Sequence, residues 1–177
     1  MTLVALALLV LGCAGRLVYE SGPYSGRVVD AETNQPLAGA VVLAVWRKSV
    51  PIGGHMPEEF VDAVEVTTDM NGEFKIPRKE HTVIWGSMGE PRIIVFSPGY
   101  GFYPTYHVSP TDRAKELLRR HATIELPRWT TREERRRKLE SLTNPVHDVP
   151  AARMPKLVEL FRAEERALGV QPQSIGR

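Results

Sequence analysis

Short apolar runs separated by turn-forming residues fill the chain from Tyr24 to Leu126, a rhythm that predicts a sandwich or barrel of β-strands rather than an α/β fold. Ser25-Gly26-Arg27-Val28-Val29-Asp30 is the first run, and the polar, proline-closed turn Ala31 to Leu37 ends it. Ala38-Gly39-Ala40 then leads into Val41-Val42-Leu43-Ala44-Val45-Trp46, whose nearly unbroken apolar character predicts burial on both faces. Val61 to Thr68 alternates imperfectly and stops at Thr68-Asp69-Met70-Asn71-Gly72, which reads as a hairpin turn because Asn-Gly adopts positive φ at little cost. Glu73-Phe74-Lys75-Ile76-Pro77 resumes the alternation. Ile93-Ile94-Val95-Phe96 is the next strand, closed by Ser97-Pro98-Gly99-Tyr100-Gly101, and Ala122 to Leu126 is the last.

The periodicity becomes helical in three places. Ser109-Pro110-Thr111-Asp112 offers a cap, a first-turn proline and an acidic first turn, which predicts a short helix reaching Arg120. Thr130-Thr131-Arg132-Glu133-Glu134 holds a capping box in either register and opens a largely polar helix to Leu142. The last helix starts at Pro155, carries Met154, Leu157, Val158, Phe161 and Leu168 on one stripe, and ends at Gly169. That stripe needs a surface to cover it, either the sandwich or a partner. Ser141 to Ala152 reads as the linker between these two helices.

At the other end of the chain, the apolar run Leu3 to Leu11 is far shorter than the roughly 20 residues of a bilayer-spanning helix. It has the character of a signal-peptide hydrophobic region, and Val10-Leu11-Gly12-Cys13 after it resembles the lipobox of bacterial lipoproteins. The resemblance implies removal of residues 1–12, a lipid on Cys13 through its thiolate, and a tether over residues 13–23 before a sandwich at 24–126 and a helical tail at 127–177. Ala14, lacking acidic character, points to the outer membrane with the protein facing the periplasm. A lone cysteine forbids an internal disulfide, and a formal net charge of +2 calls for neither nucleic acid nor an acidic substrate.

Three strings in order resemble the carboxypeptidase regulatory-like family: Gly26-Arg27-Val28-Val29-Asp30 through Pro36-Leu37-Ala38-Gly39-Ala40-Val41-Val42, then Thr67-Thr68-Asp69-Met70-Asn71-Gly72-Glu73-Phe74, then Phe96-Ser97-Pro98-Gly99-Tyr100. The resemblance implies a mainly β fold, a Greek-key, transthyretin-like sandwich of about seven strands, with the C-terminal helices outside the common domain. Asp30, Pro36, Gly39, Asp69, Gly72, Phe74, Pro98 and Gly99 are its motif residues. Each has a structural reason: Pro36 fixes a turn, Gly39 allows a tight lead-in to the second strand, Gly72 takes a left-handed conformation and Phe74 fills the core. The family uses such domains as accessory, adhesive or structural units, so the expected function is that of a binding or structural module. Its partners would be the membrane, through Cys13, and an envelope protein or glycan, with no cofactor.

The chemical candidates are thin. His55-Met56-Pro57-Glu58 has the His-x-x-Glu spacing of zinc carboxypeptidases, and a metal-dependent hydrolase built on His55 and Glu58 is the alternative reading; Pro57 in a Gly-Gly-His-Met-Pro loop argues against it. Asp69, Asn71, Glu73 and Glu80 fall at calcium-loop positions, but the position that needs glycine is Phe74. His55, His81, His107, His121 and His147 show no ligand spacing. Hydroxyisourate hydrolases of related fold end in Tyr-Arg-Gly-Ser, whereas this chain ends in Ser174-Ile175-Gly176-Arg177. Isopeptide-forming adhesin domains use a first-strand lysine where Arg27 stands here. The basic run Arg135 to Lys138, with Arg128 and Arg132, reads as a solvated helical face balanced by Glu133, Glu134 and Glu140, with lipid phosphate as the alternative. Trp46, Trp85, Trp129, Tyr100, Phe102, Tyr103 and Tyr106 read as core before they read as a glycan-binding surface.

Overall fold

A computed structural model describes residues 17–104 and 121–176; the helix expected over Ser109 to Arg120 and the lipobox, including Cys13, lie outside them. The described strands are β1 (Leu17–Ser21), β2 (Tyr24–Asp30), β3 (Val41–Ser49), β4 (Glu58–Thr67), β5 (Glu73–Ile76), β6 (Lys79–Val83), β7 (Ser87–Met88), β8 (Arg92–Phe96), β9 (Phe102–Tyr103) and β10 (Ala122–Leu126). The helices are α1 (Arg132–Val146) and α2 (Pro155–Leu168), joined through a 3₁₀ turn at Ala151–Arg153. The fold is therefore mainly β with helices at its C-terminal end.

One sheet has the order β10-β2-β5 and the other β4-β3-β8-β9, with β7 beside the far end of β3. The chain crosses repeatedly between them, and β10 returns to lie parallel to β2, with Ala122 opposite Gly26 and Leu126 opposite Asp30. Strand β3 explains the architecture. Its alternate residues Val42, Ala44 and Trp46 face the first sheet, where they pack with Val28, Phe74, Ile76, Ile124 and Leu126. Val41, Leu43 and Val45 point the opposite way, into a second core shared with Ile94, Phe96, Leu139, Leu142, Leu157 and Phe161. The unbroken apolar run is thus buried on both faces because the helices form a third layer.

The stripe of α2 docks on the protein's own sheet: Met154, Leu157, Phe161 and Leu168 are all buried in that second core. Gly169 ends the helix in the left-handed region, at φ 61°. Thr131 is the cap of α1, in the capping box with Glu134.

Three expectations need correction. The turn at Asp69 to Gly72 does not make a hairpin, because β4 pairs with β3 while β5 pairs with β2 across the sandwich. Asn71 stays at negative φ; Gly72 alone turns left-handed, at φ 76°, and the Asp69 carboxylate ties the loop by accepting from the Asn71 and Glu73 amides. A turn signal fixes a reversal of direction and leaves open which strand receives the chain. The tether expected over residues 13–23 is a strand from Leu17, paired along its length with β6. The linker expected over Ser141 to Ala152 is also structured: α1 runs through Pro145 to Val146, and Val149 is buried. Helix α1 is largely polar, as expected, and buries Leu139, Leu142 and Val146 on its inner side.

Candidate functional site

The motif residues gather around the turns that close the sandwich. Asp30, at the end of β2, is buried, and its Oδ1 accepts from the Glu32 and Thr33 amides at 2.9 and 3.0 Å. Its Oδ2 accepts from the Tyr100 hydroxyl and the Arg128 Nη2, each at 3.0 Å. The Thr33 amide, with the Glu32 amide and the Tyr100 and Arg128 donors, holds this carboxyl well below the usual range against the opposing effect of burial. Pro36 pairs with Val29, and Leu37 donates back to Val28, so the turn folds against its own strand. Gly39 and Gly99 both lie at positive φ, and Pro98 sits in the turn that the Tyr100 amide closes onto Ser97. Phe74 is in the first core. Asp30, Tyr100 and Arg128 thus join three remote turns. Neither Tyr100 nor Arg128 was legible as Asp30's partner, because 70 and 98 residues separate them.

His55 lies at the tip of the β3–β4 hairpin, bridged to Ile52, and its side chain is exposed. Glu58 opens β4 opposite Ser49 and reaches Arg92 at 3.4 Å. Among the described residues no group of three or more His, Cys, Asp or Glu side chains is placed to hold a metal ion. Asp69 is occupied by backbone amides. The basic run divides by helical face. Arg135 makes two 2.8 Å bonds to buried Glu164 on α2, and Arg132 donates to the Leu168 carbonyl, while Arg136 and Arg137 pair with Glu133 on the solvent side. The expected solvated face therefore holds for Arg136 and Arg137 and fails for Arg135, which together with the exposed Arg132 ties the two helices to each other. The aromatics are dispersed too: Trp46 and Phe102 are buried in different cores, Trp129 packs on the second core, Tyr100 and Tyr103 on the first, and Trp85 is exposed. Tyr106 and His107 lie outside the described residues.

An open groove of about 540 Å³ lies where the end of the second sheet meets the end of α1. Arg47, Glu58, Phe60, Arg92, His147 and Asp148 line it, with Pro145 and Pro150 among its walls. Its construction follows from β3: Arg47 continues the row Val41, Leu43, Val45 toward the helices. A β-bulge on β4, where Trp46 faces Asp62 and Arg47 faces Phe60, re-aims the partner strand at the same level. Asp148 receives Arg47 through Nε at 3.2 Å and Nη2 at 2.5 Å, and Nη2 also donates to the Pro145 carbonyl. The Asp148 carboxyl is raised by burial and lowered further by Arg47, for a net downward shift. The groove presents charges of both signs beside an aromatic ring and proline faces.

On the opposite side of β4, buried Asp62 gathers Lys79 at 3.1 Å, Arg153 at 3.1 Å and the His81 Nε2 at 3.4 Å. Burial pushes its carboxyl up, and the Lys79 bond, the Ala63 amide and Arg153 outweigh that to leave it lowered. The His81 ring lies on Trp46, with centroids 5.2 Å apart, and the Trp46 indole donates to the Ser21 hydroxyl at 2.8 Å. These contacts fasten the β1–β6 ribbon to the sandwich. No helix among the described residues is long and apolar enough to cross a membrane. Comparison with protein-family models, with curated proteins and with solved structures finds no match for this chain.

Proposed function

We propose that this protein is a bacterial envelope lipoprotein, anchored by lipid on Cys13 and probing the periplasm from the outer membrane as a non-catalytic binding or structural module. Its sandwich is read as a carboxypeptidase regulatory-like domain. The observation that carries the reading is the distance between anchor and fold: the lipobox-like Leu11-Gly12-Cys13 ends at residue 13, and strand β1 begins at Leu17. An extended chain covers at most about 3.6 Å per residue, so four steps hold the first strand within roughly 14 Å of the acylated sulfur. A body bound that tightly to a membrane is suited to holding a partner at its surface. The groove at Arg47, Arg92 and Asp148 is the place for an envelope protein or glycan to engage it.

The test is labelling with radioactive palmitate in a bacterial host, alongside membrane fractionation of the full chain and of Cys13→Ser. The expected result is label in the outer-membrane fraction that the substitution abolishes. Equal membrane association of the two forms, with no label in either, would refute the reading.

A further inference from the structure

We infer that the free end of the β1–β6 ribbon is a membrane-contact element that inserts Leu17, Val18, Ile84 and Trp85 into the lipid interface; the inference rests on the lipid-anchor reading above. Leu17 and Val18 are 54% and 55% exposed, and Ile84 and Trp85 are 69% and 64% exposed. They converge because β1 and β6 are antiparallel: Leu17 pairs with Val83 and Val18 with Thr82, so Ile84 and Trp85 leave the ribbon at the end where the chain enters it from Cys13.

Val83, opposite Leu17, is buried in the first core and seats this end on the sandwich, while Leu17, Val18, Ile84 and Trp85 stay exposed around it. Two residues further on, Tyr19 already packs on the first core, and Ser21 is buried. The four exposed side chains form an apolar rim at the edge of the sandwich, at the end where the chain arrives from Cys13. With Cys13 only four residues before Leu17, the lipid surface is the apolar phase this rim meets first. The β3–β4 loop extends the same region. Gly86, next to Trp85, lies against the Ser49 carbonyl and Val50, at the base of the loop that exposes Ile52 and Met56. Tryptophan is the side chain best suited to the headgroup level, with an apolar body and one N–H donor. The interfacial layer is about 5–7 Å deep on each side of the hydrocarbon core, within reach of a rim tethered by four residues.

Contact would fix the orientation of the whole protein. The ribbon is bolted to the sandwich by the Trp46–Ser21 bond and the tilted Trp46–His81 ring contact, so a seated rim holds the groove at a set height and angle above the bilayer.

The experiment uses the lipidated full-length protein reconstituted in phosphatidylethanolamine–phosphatidylglycerol vesicles doped with bromine-labelled phosphatidylcholine, with tryptophan emission as the readout. Trp46 is buried, and Trp129 packs against the second core, so lipid-borne bromine reads Trp85 first. The expected result is a blue-shifted emission with a component quenched by brominated lipid, and loss of that component in Trp85→Phe. Ile84→Ser, which keeps the tryptophan, should weaken the quenching while far-ultraviolet circular dichroism stays unchanged. If mass spectrometry finds the lipid on Cys13 and the protein is vesicle-bound, yet Trp85 emission ignores brominated lipid, the membrane-contact inference is overturned and the anchor reading survives. Crosslinking of the rim to a second copy in that state would overturn it in favour of self-association. Absence of lipid on Cys13 would remove both readings together.

Discussion

Glu65 on β4 caps a helix to which it has no sequence connection, and removing it should loosen the helical layer. Helix α2 begins with Pro155, which has no N–H to satisfy, and the Val158 amide bonds to the Met154 carbonyl at 3.0 Å. The two amides left over, Lys156 and Leu157, both donate to the Glu65 carboxylate, at 2.8 and 2.7 Å. Met154 supplies no side-chain cap, so one residue from a strand 91 positions away completes the first turn. A lost cap costs about 0.5–2 kcal/mol, and an anion at a helix N-terminus adds about 0.3–1. Glu65→Ala should therefore lose about 2 kcal/mol, and Glu65→Gln, which keeps one acceptor and no charge, about 1. With a urea dependence of about 2 kcal/mol per molar, the midpoints should fall by about 1 M and about 0.5 M. Equilibrium unfolding of the unlipidated protein measures this directly. A loss below about 0.5 kcal/mol in Glu65→Ala, or equal losses in both variants, would refute the assignment of the carboxylate as the cap.

Three other perturbations test separate layers. Phe161→Ala, at a fully buried position between α2 and the sheet, should cost about 3–5 kcal/mol in the same assay. Asp148→Ala leaves the Arg47 guanidinium, 9% exposed, without its carboxylate and should cost about 3–5 kcal/mol, whereas replacing both residues with apolar ones should cost less than that single change. Asp30 is depressed below its ordinary 3.8, so its contribution is complete above that pH and fades as pH falls toward the lower folded value. Asp30→Asn should therefore be less stable than the parent at neutral pH, with the gap narrowing below about pH 4 in acid-unfolding curves.

What could be seen in the sequence divides along local and remote lines. The β3 run, the α2 stripe, the Thr131 capping box and the Gly169 stop depend on neighbours within a turn or two, and each stands where the pattern put it. Pairing depends on the rest of the chain. The Asp69–Gly72 turn gave no sign that β4 and β5 would part to different sheets, and nothing short-range revealed that Leu17–Ser21 would find β6. The groove escaped for the same reason, since Arg47 and Asp148 lie 101 residues apart and each resembles an ordinary surface charge alone.

Charged residues, Arg135 of the expected solvated face among them, fix the third layer in place. An apolar stripe such as that of α2 slides readily along an apolar sheet, because burial is nearly indifferent to direction. Glu65 at the start of α2, Arg132 at its end and Arg135 on Glu164 along its flank remove that freedom, each by hydrogen bonds that one register alone can satisfy. Arg47 on Asp148 does the same for the end of α1 and builds one wall of the groove in doing so. Fixing the end of α1 on the sheet and shaping the groove are therefore the work of the same ion pair, and a variant that loosens one should deform the other.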